Sequence, residues 1–227
     1  MKKVLIFAYL LSLSIVMSAQ DKNFHIYLCL GQSNMEGNAK FEAQDTCEVD
    51  NRFRVMAAVD CPELGRVKGQ WYKAVPPLVR CHTGLTPVDY FGRAMVANLP
   101  SDVRVGIINV AVGGCRIELF DKDNFQSYVE TSPDWLKNMV KEYDGNPYER
   151  LVGLAKLAQK DGVIKGILLH QGESNTGDKE WPRKVKGVYE NLLKDLGLSA
   201  AGVPLLAGEV VHALSLIHIS ETTRHSL

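Results

Sequence analysis

Ser33 lies in the heptapeptide Gly31-Gln32-Ser33-Asn34-Met35-Glu36-Gly37, directly after the apolar run 24–30. A hydroxyl on a small-residue turn at the end of a buried strand is where a hydrolase holds its nucleophile. Gly31 has no Cβ to obstruct a sharp turn, and Gln32, Asn34 and Glu36 surround the serine with hydrogen-bonding groups. The same residue types also suit an ordinary surface turn, for conformational reasons alone. The Gly-x-Ser-x-Gly elbow of the α/β-hydrolases is not present, because the second glycine lies four positions after Ser33.

Two further segments carry polar or glycine-rich loops after apolar runs. Asn109-Val110-Ala111-Val112 leads into Gly113-Gly114-Cys115-Arg116, and a run ending at His170 leads into Gln171-Gly172-Glu173-Ser174-Asn175. In acyl transfer a serine attacks a carbonyl carbon, and hydrogen-bond donors must meet the oxyanion that forms. The backbone N–H groups of Ser33 and Gly114 and the side-chain amide of Gln171 are the expected donor set. Taken alone, Gly113-Gly114 also fits a tight strand-to-loop turn.

The elements needed to bring these loops together are legible in the patterning. Strands are expected at 24–30, 103–111, 164–170 and 203–207, and helices at 88–98, 148–160 and 183–196, with Thr86-Pro87 and Asn146-Pro147 opening the first two helices. Alternation of this kind implies an α/β fold with a mostly parallel sheet covered by helices. The carboxyl ends of parallel strands share one edge, so Ser33, Gly114 and Gln171 are expected to converge there. The long stretch 38–86, with Trp71, Tyr72 and Pro76-Pro77, reads as a wall of the substrate site or as a packed excursion stabilised by a disulfide.

With 227 residues, 46% of them hydrophobic, the chain can form one medium-sized domain. Lys plus Arg and Asp plus Glu are 26 each, so no charge excess points to nucleic acid. Met1-Lys2-Lys3, an uncharged apolar stretch to Met17, and Ser18-Ala19 have the three parts of a signal peptide, expected at 1–19. An uncleaved anchor is the competing reading. The expected mature protein is secreted or periplasmic and free of the membrane, where disulfides can form. Of Cys29, Cys47, Cys61, Cys81 and Cys115, the pair Cys61 and Cys81 flanks a Pro/Gly-rich excursion and is the preferred bridge, with Cys29 buried in its strand. The histidines are scattered without ligand spacing, so no metal or other cofactor is expected.

The three segments, in this order and spanning about Phe24 to Glu209, resemble the sialate O-acetylesterase-like branch of the SGNH hydrolases, which includes the carbohydrate esterase family 6 acetylxylan esterases. Trp71, Pro76-Pro77 and Asp89-Tyr90-Phe91-Gly92 extend the resemblance. It implies a three-layer α/β/α, flavodoxin-like fold and metal-independent removal of O-acetyl groups from carbohydrate. Carried onto this chain, Ser33 is the nucleophile and Gly114 and Gln171 complete the oxyanion hole. Glu173 is either the acidic triad member or a hydrogen-bonding support for the Gln171 loop. Arg116 and Asn34 are expected to contact substrate, Arg116 alternatively forming a structural ion pair.

The family also carries an Asp-x-x-His motif near its C-terminus, whose histidine takes the serine proton. No aspartate follows Val210-Val211, and 212–227 does not resemble a domain end. The expectation is a domain over 20–211, incomplete at its C-terminus, followed by a non-native tail, so that this chain turns over little. A short variant using His82, His170, His218 or His225 is the opposing reading. The alternative in another functional class is a non-catalytic carbohydrate-binding protein, with Trp71, Tyr72 and Trp181 as sugar-stacking aromatics.

Overall fold

The computed structural model describes residues 20–210. The expected signal peptide, the tail at 212–227, His218 and His225 lie outside the described residues. Six strands form one sheet: β1 (Asp21–Gly31), β2 (Phe53–Met56), β3 (Trp71–Lys73), β4 (Arg104–Ala111), β5 (Gly162–His170) and β6 (Leu205–Ala207). Their spatial order is β3-β2-β4-β1-β5-β6, and every neighbouring pair is parallel except β2 with β3. Strands covered on both faces read as continuous apolar runs, and in β4 every residue from Val105 to Ala111 is buried.

The helices are α1 (Ser33–Glu36), α2 (Ala43–Thr46), α3 (Pro87–Asn98), α4 (Phe125–Thr131), α5 (Asp134–Lys141), α6 (Pro147–Ala158) and α7 (Trp181–Leu196). On one face of the sheet, Val88 and Val96 of α3 pack with Phe53, Val55, Val105 and Ile107. On the other, Leu151, Ala155 and Ala158 of α6 and Val185, Val188 and Leu192 of α7 cover Ile26, Leu28, Ile108 and Val110. That spacing is the apolar stripe of a helix with one buried face. The result is the expected three-layer α/β/α arrangement. The helix starts are also as expected: Asp89 and Thr86 form a reciprocal capping box at α3, and Asn146 Oδ1 accepts from Glu149 N at 3.1 Å at α6.

The stretch 38–86 is more regular than its sequence suggests, since it contains α2, β2 and β3. Four residues are too few for a period to register, and β2 is a strand because it pairs with β4. Trp71 and Tyr72 do not line the edge where the loops converge. Trp71 packs edge-on against Phe24, near the amino end of β1, and donates to Asp161 ahead of β5 at 2.9 Å. The Tyr72 hydroxyl accepts from Val67 N at 2.8 Å. Cys61 and Cys81 are bridged, with Cα atoms 5.5 Å apart, and Cys29 is buried as a free thiol.

Where the flavodoxin order seats the first strand beside the second, here β4 separates them and β1 lies between β4 and β5. Gly31, at the end of β1, is level with Ala111 on one side and His170 on the other. The loops after β4, β1 and β5 therefore leave the sheet side by side.

Candidate active site

Gly31 meets the end of β5 so closely that a Cβ there would lie 2.1 Å from His170 O, which only glycine avoids. Gln32 N then donates to His170 O at 3.0 Å and the chain turns into α1. The β4 side chain Asn109 donates to Met35 O at 3.0 Å, so the turn is held from both neighbouring strands. Ser33 is partly exposed at the head of α1. Among the described residues neither its N–H nor its Oγ is bonded to a protein group.

The loop after β5 is organised by the Ser33 turn itself. Gln32 Oε1 accepts from Gln171 Nε2 at 3.2 Å, Ser174 N at 3.2 Å and Gly172 N at 3.4 Å. Gln171 is only 1% exposed. Its Nε2 also donates to Asn175 Oδ1 at 2.7 Å and faces Cys115 O at 3.3 Å, while its Oε1 accepts from the Trp181 indole. Two amide hydrogens thus serve three acceptors: one bond is short, and the other two contacts are long. Trp181 is buried scaffold and presents no face to a sugar.

Gly114 is exposed, in the left-handed region at φ 68°, and its carbonyl accepts from Ser174 Oγ at 3.0 Å. Its N–H has no protein acceptor among the described residues. Glu173 reaches across to α1, where Asn34 Nδ2 donates to its Oε1 at 3.0 Å. His170 Nδ1 stands 3.8 Å from the same oxygen, beyond a normal hydrogen bond. His170 Nδ1 and Glu173 Oε2 are both buried without a partner among the described residues. No described imidazole is hydrogen-bonded to Ser33. His82 lies elsewhere, nearly fully exposed beside Glu63.

Arg116 forms ion pairs with Glu118 and Asp178, both at 3.4 Å. Lys184 reaches the same two carboxylates at 2.8 and 2.6 Å, and Asn175 donates to both. Asn175 in turn anchors Gln171, so this cluster braces the loop after β5. Burial opposes the Glu118 charge, but hydrogen bonds from Lys184, Asn175 and Arg116 outweigh it and hold its pKa down to about 2. A depressed carboxylate stabilises the fold above its ordinary value of 4.5 and loses that contribution as the pH falls towards 2. Glu118→Gln is expected to cost about 2 kcal/mol at pH 6, and thermal melts should show the difference from wild type shrinking as the pH drops through 3. A difference independent of pH would refute the assignment.

Comparison with known proteins then decides the family. The model for the family described as carbohydrate esterase, sialic acid-specific acetylesterase, matches residues 23–226. The chain belongs to this family. As a carbohydrate esterase by family it shares its fold with three solved structures. One, a protein from Arabidopsis thaliana, is 22% identical, with TM-score 0.59 and coverage of 82% of this chain and 74% of that one. NanS is 16% identical, with TM-score 0.58 and coverage of 86% and 70%. A carbohydrate acetylesterase from Xanthomonas citri is 20% identical, with TM-score 0.53, and its alignment covers 80% of this chain and 40% of that longer one. At these identities the likeness establishes the fold alone. No helix among the described residues is long and apolar enough to cross a membrane.

In this carbohydrate esterase domain, sequence reasoning missed a buried ion-pair chain. Glu36, in α1, is paired with Arg80, which is also paired with Glu142 beyond α5 and lies 3.2 Å from Met139 Sδ. Glu36 Oε2 occupies the space beside Gly113, 2.6 Å from where a Cβ would stand. A carboxylate in the Ser33 turn signals that a cation is needed if it is buried. Nothing in the sequence says which of 26 cationic residues supplies it.

Proposed function

We propose that this domain is a serine esterase that removes O-acetyl groups from carbohydrate. Ser33 Oγ attacks the acetyl carbonyl, and the N–H groups of Ser33 and Gly114 receive the oxyanion. The observation that carries this is that, among the described residues, the Ser33 N–H, the Ser33 hydroxyl and the Gly114 N–H have no protein partner, on loops that leave neighbouring strands at one sheet edge. Gln171 contributes its second amide hydrogen, which an oxyanion would take from the long contacts to Gln32 and Cys115. Glu173, tied to Asn34 and facing His170, is the acid of the site, and Asn34 and Arg116 border the bound sugar.

The serine needs a base. The family takes it from an Asp-x-x-His segment near its C-terminus, whose histidine is the expected partner of Ser33. The substrate is an acetylated plant polysaccharide such as acetylxylan, or O-acetylated sialic acid. The mature protein acts outside the cytoplasm, a location that the Cys61–Cys81 bridge supports.

The test is acetate release from acetylated xylan and from O-acetylated sialic acid, measured beside calorimetric binding of both. Release that exceeds the uncatalysed rate is expected from at least one. Sugar binding with no release above background would replace the esterase with a carbohydrate-binding protein on the same scaffold.

A further inference from the structure

Trp135 is the aromatic residue that the fold leaves open beside Gly114. It is 52% exposed, and its indole Cη2 lies 2.7 Å from the position a Gly114 Cβ would occupy. The six-membered ring therefore rests against the loop that offers the free N–H. Its place is set by α5. Leu136 and Val140 are buried in the core and fix the rotation of the helix, while Met139 contacts Arg80 and Glu142 pairs with it just past the helix end. Positions 135, 139 and 142 form one helical stripe. That stripe runs from the Gly114 loop to the cation that pairs with Glu36 of the nucleophile turn.

A large exposed indole is costly to leave in water, and an acetyl methyl is too small to cover it. The ring of a pyranose is not: its axial C–H face is apolar and its rim is hydroxylated. An acetyl carbonyl held at Gly114 N puts the attached sugar within reach of the ring. We propose that Trp135 is a sugar-stacking platform, on which a pyranose ring of the acetylated substrate lies while its ester is held at Ser33 and Gly114. The proposal rests on the carbohydrate esterase reading. It replaces Trp71, Tyr72 and Trp181, whose rings are engaged elsewhere, with an aromatic that borders the site.

The test uses the whole chain and acetylated xylotriose as the probe, with affinity read by calorimetry and the state of the indole by fluorescence. Trp135→Leu, which fills space but offers no flat face, should weaken binding about tenfold. Trp135→Phe, which keeps a flat face, should stay within about threefold of wild type. The Leu variant should also lose the ligand-induced change in emission. Melting curves of both variants check that they are folded, and if Trp135→Leu does not fold, Trp135→Gln provides a second replacement without an aromatic face. Equal losses in the Leu and Phe variants would make Trp135 a prop for Gly114 and overturn the proposal. So would wild-type affinity in the Leu variant, with the esterase reading left standing if acetate is still released. Failure of the wild type to bind acetylated xylotriose or acetylated sialic acid at all would overturn the substrate class together with the platform.

Discussion

Ser33→Ala is expected to lower acetate release by about 10⁴-fold or more when the chain is joined, after Val210, to the Asp-x-x-His segment of an intact family member. In the same fusion with that histidine replaced by Ala, the substitution is expected to cost little. The reason is that nucleophile and base act as a unit: removing one leaves only the oxyanion donors and binding, a residual of roughly 10³ to 10⁴ over water, and removing the second takes little more. Steady-state kinetics on the four proteins forms a double-mutant cycle. Strong non-additivity identifies Ser33 as the partner of the restored histidine. If Ser33→Ala reduces both backgrounds by the same large factor, a base already present in the chain activates the serine, and His170 beside Glu173 would be the one to examine.

Arg80→Ala is expected to destabilise the domain by about 3 to 5 kcal/mol, which for a chain of this size lowers the melting temperature by about 10 °C. The Arg80 and Glu36 side chains are 12% and 9% exposed, so removing the guanidinium strands a carboxylate in a site that water barely reaches. The carboxylate fills the space beside Gly113, its Oε2 2.6 Å from where a Cβ would stand. The pair itself need not be worth that much, because its attraction is set against the cost of desolvating both ions. Glu36→Gln combined with Arg80→Met should therefore lose clearly less than Arg80→Ala alone. A double variant as unstable as the single one would mean that Arg80 acts through its packing on Met139, not through its charge.

The position of Glu36 links this stability to function. It ends the same four-residue helix that Ser33 begins, so the ion pair with Arg80 holds the Ser33 turn together with the bonds from Asn109 and to His170. The disulfide at Cys81 fixes the chain one residue beyond Arg80. Stretch 38–86, which reads as irregular, thereby delivers a counter-ion, not a substrate wall of aromatics.

The residues that specify local structure were legible directly. Thr86-Pro87 and Asn146-Pro147 cap helices through bonds that span two or three residues, and the apolar runs of β1, β4 and β5 mark buried strands, because both signals depend only on near neighbours in the chain. The same locality explains why Ser33, Gly114 and Gln171 could be singled out: each follows a strand, and the carboxyl ends of parallel strands share an edge. Strand order was another matter. That β1 lies between β4 and β5, and so carries Ser33 between the other two loops, depends on pairings between residues about 80 and 140 positions apart, for which a local pattern contains no term. Tertiary packing likewise decided that Gln171 is a buried hub, that Arg80 is the partner of Glu36, and that Trp135, not Trp71, Tyr72 or Trp181, is the aromatic exposed at Gly114. An aromatic side chain looks alike in sequence whether it fills a core or faces a ligand, and only the surrounding surfaces distinguish the two.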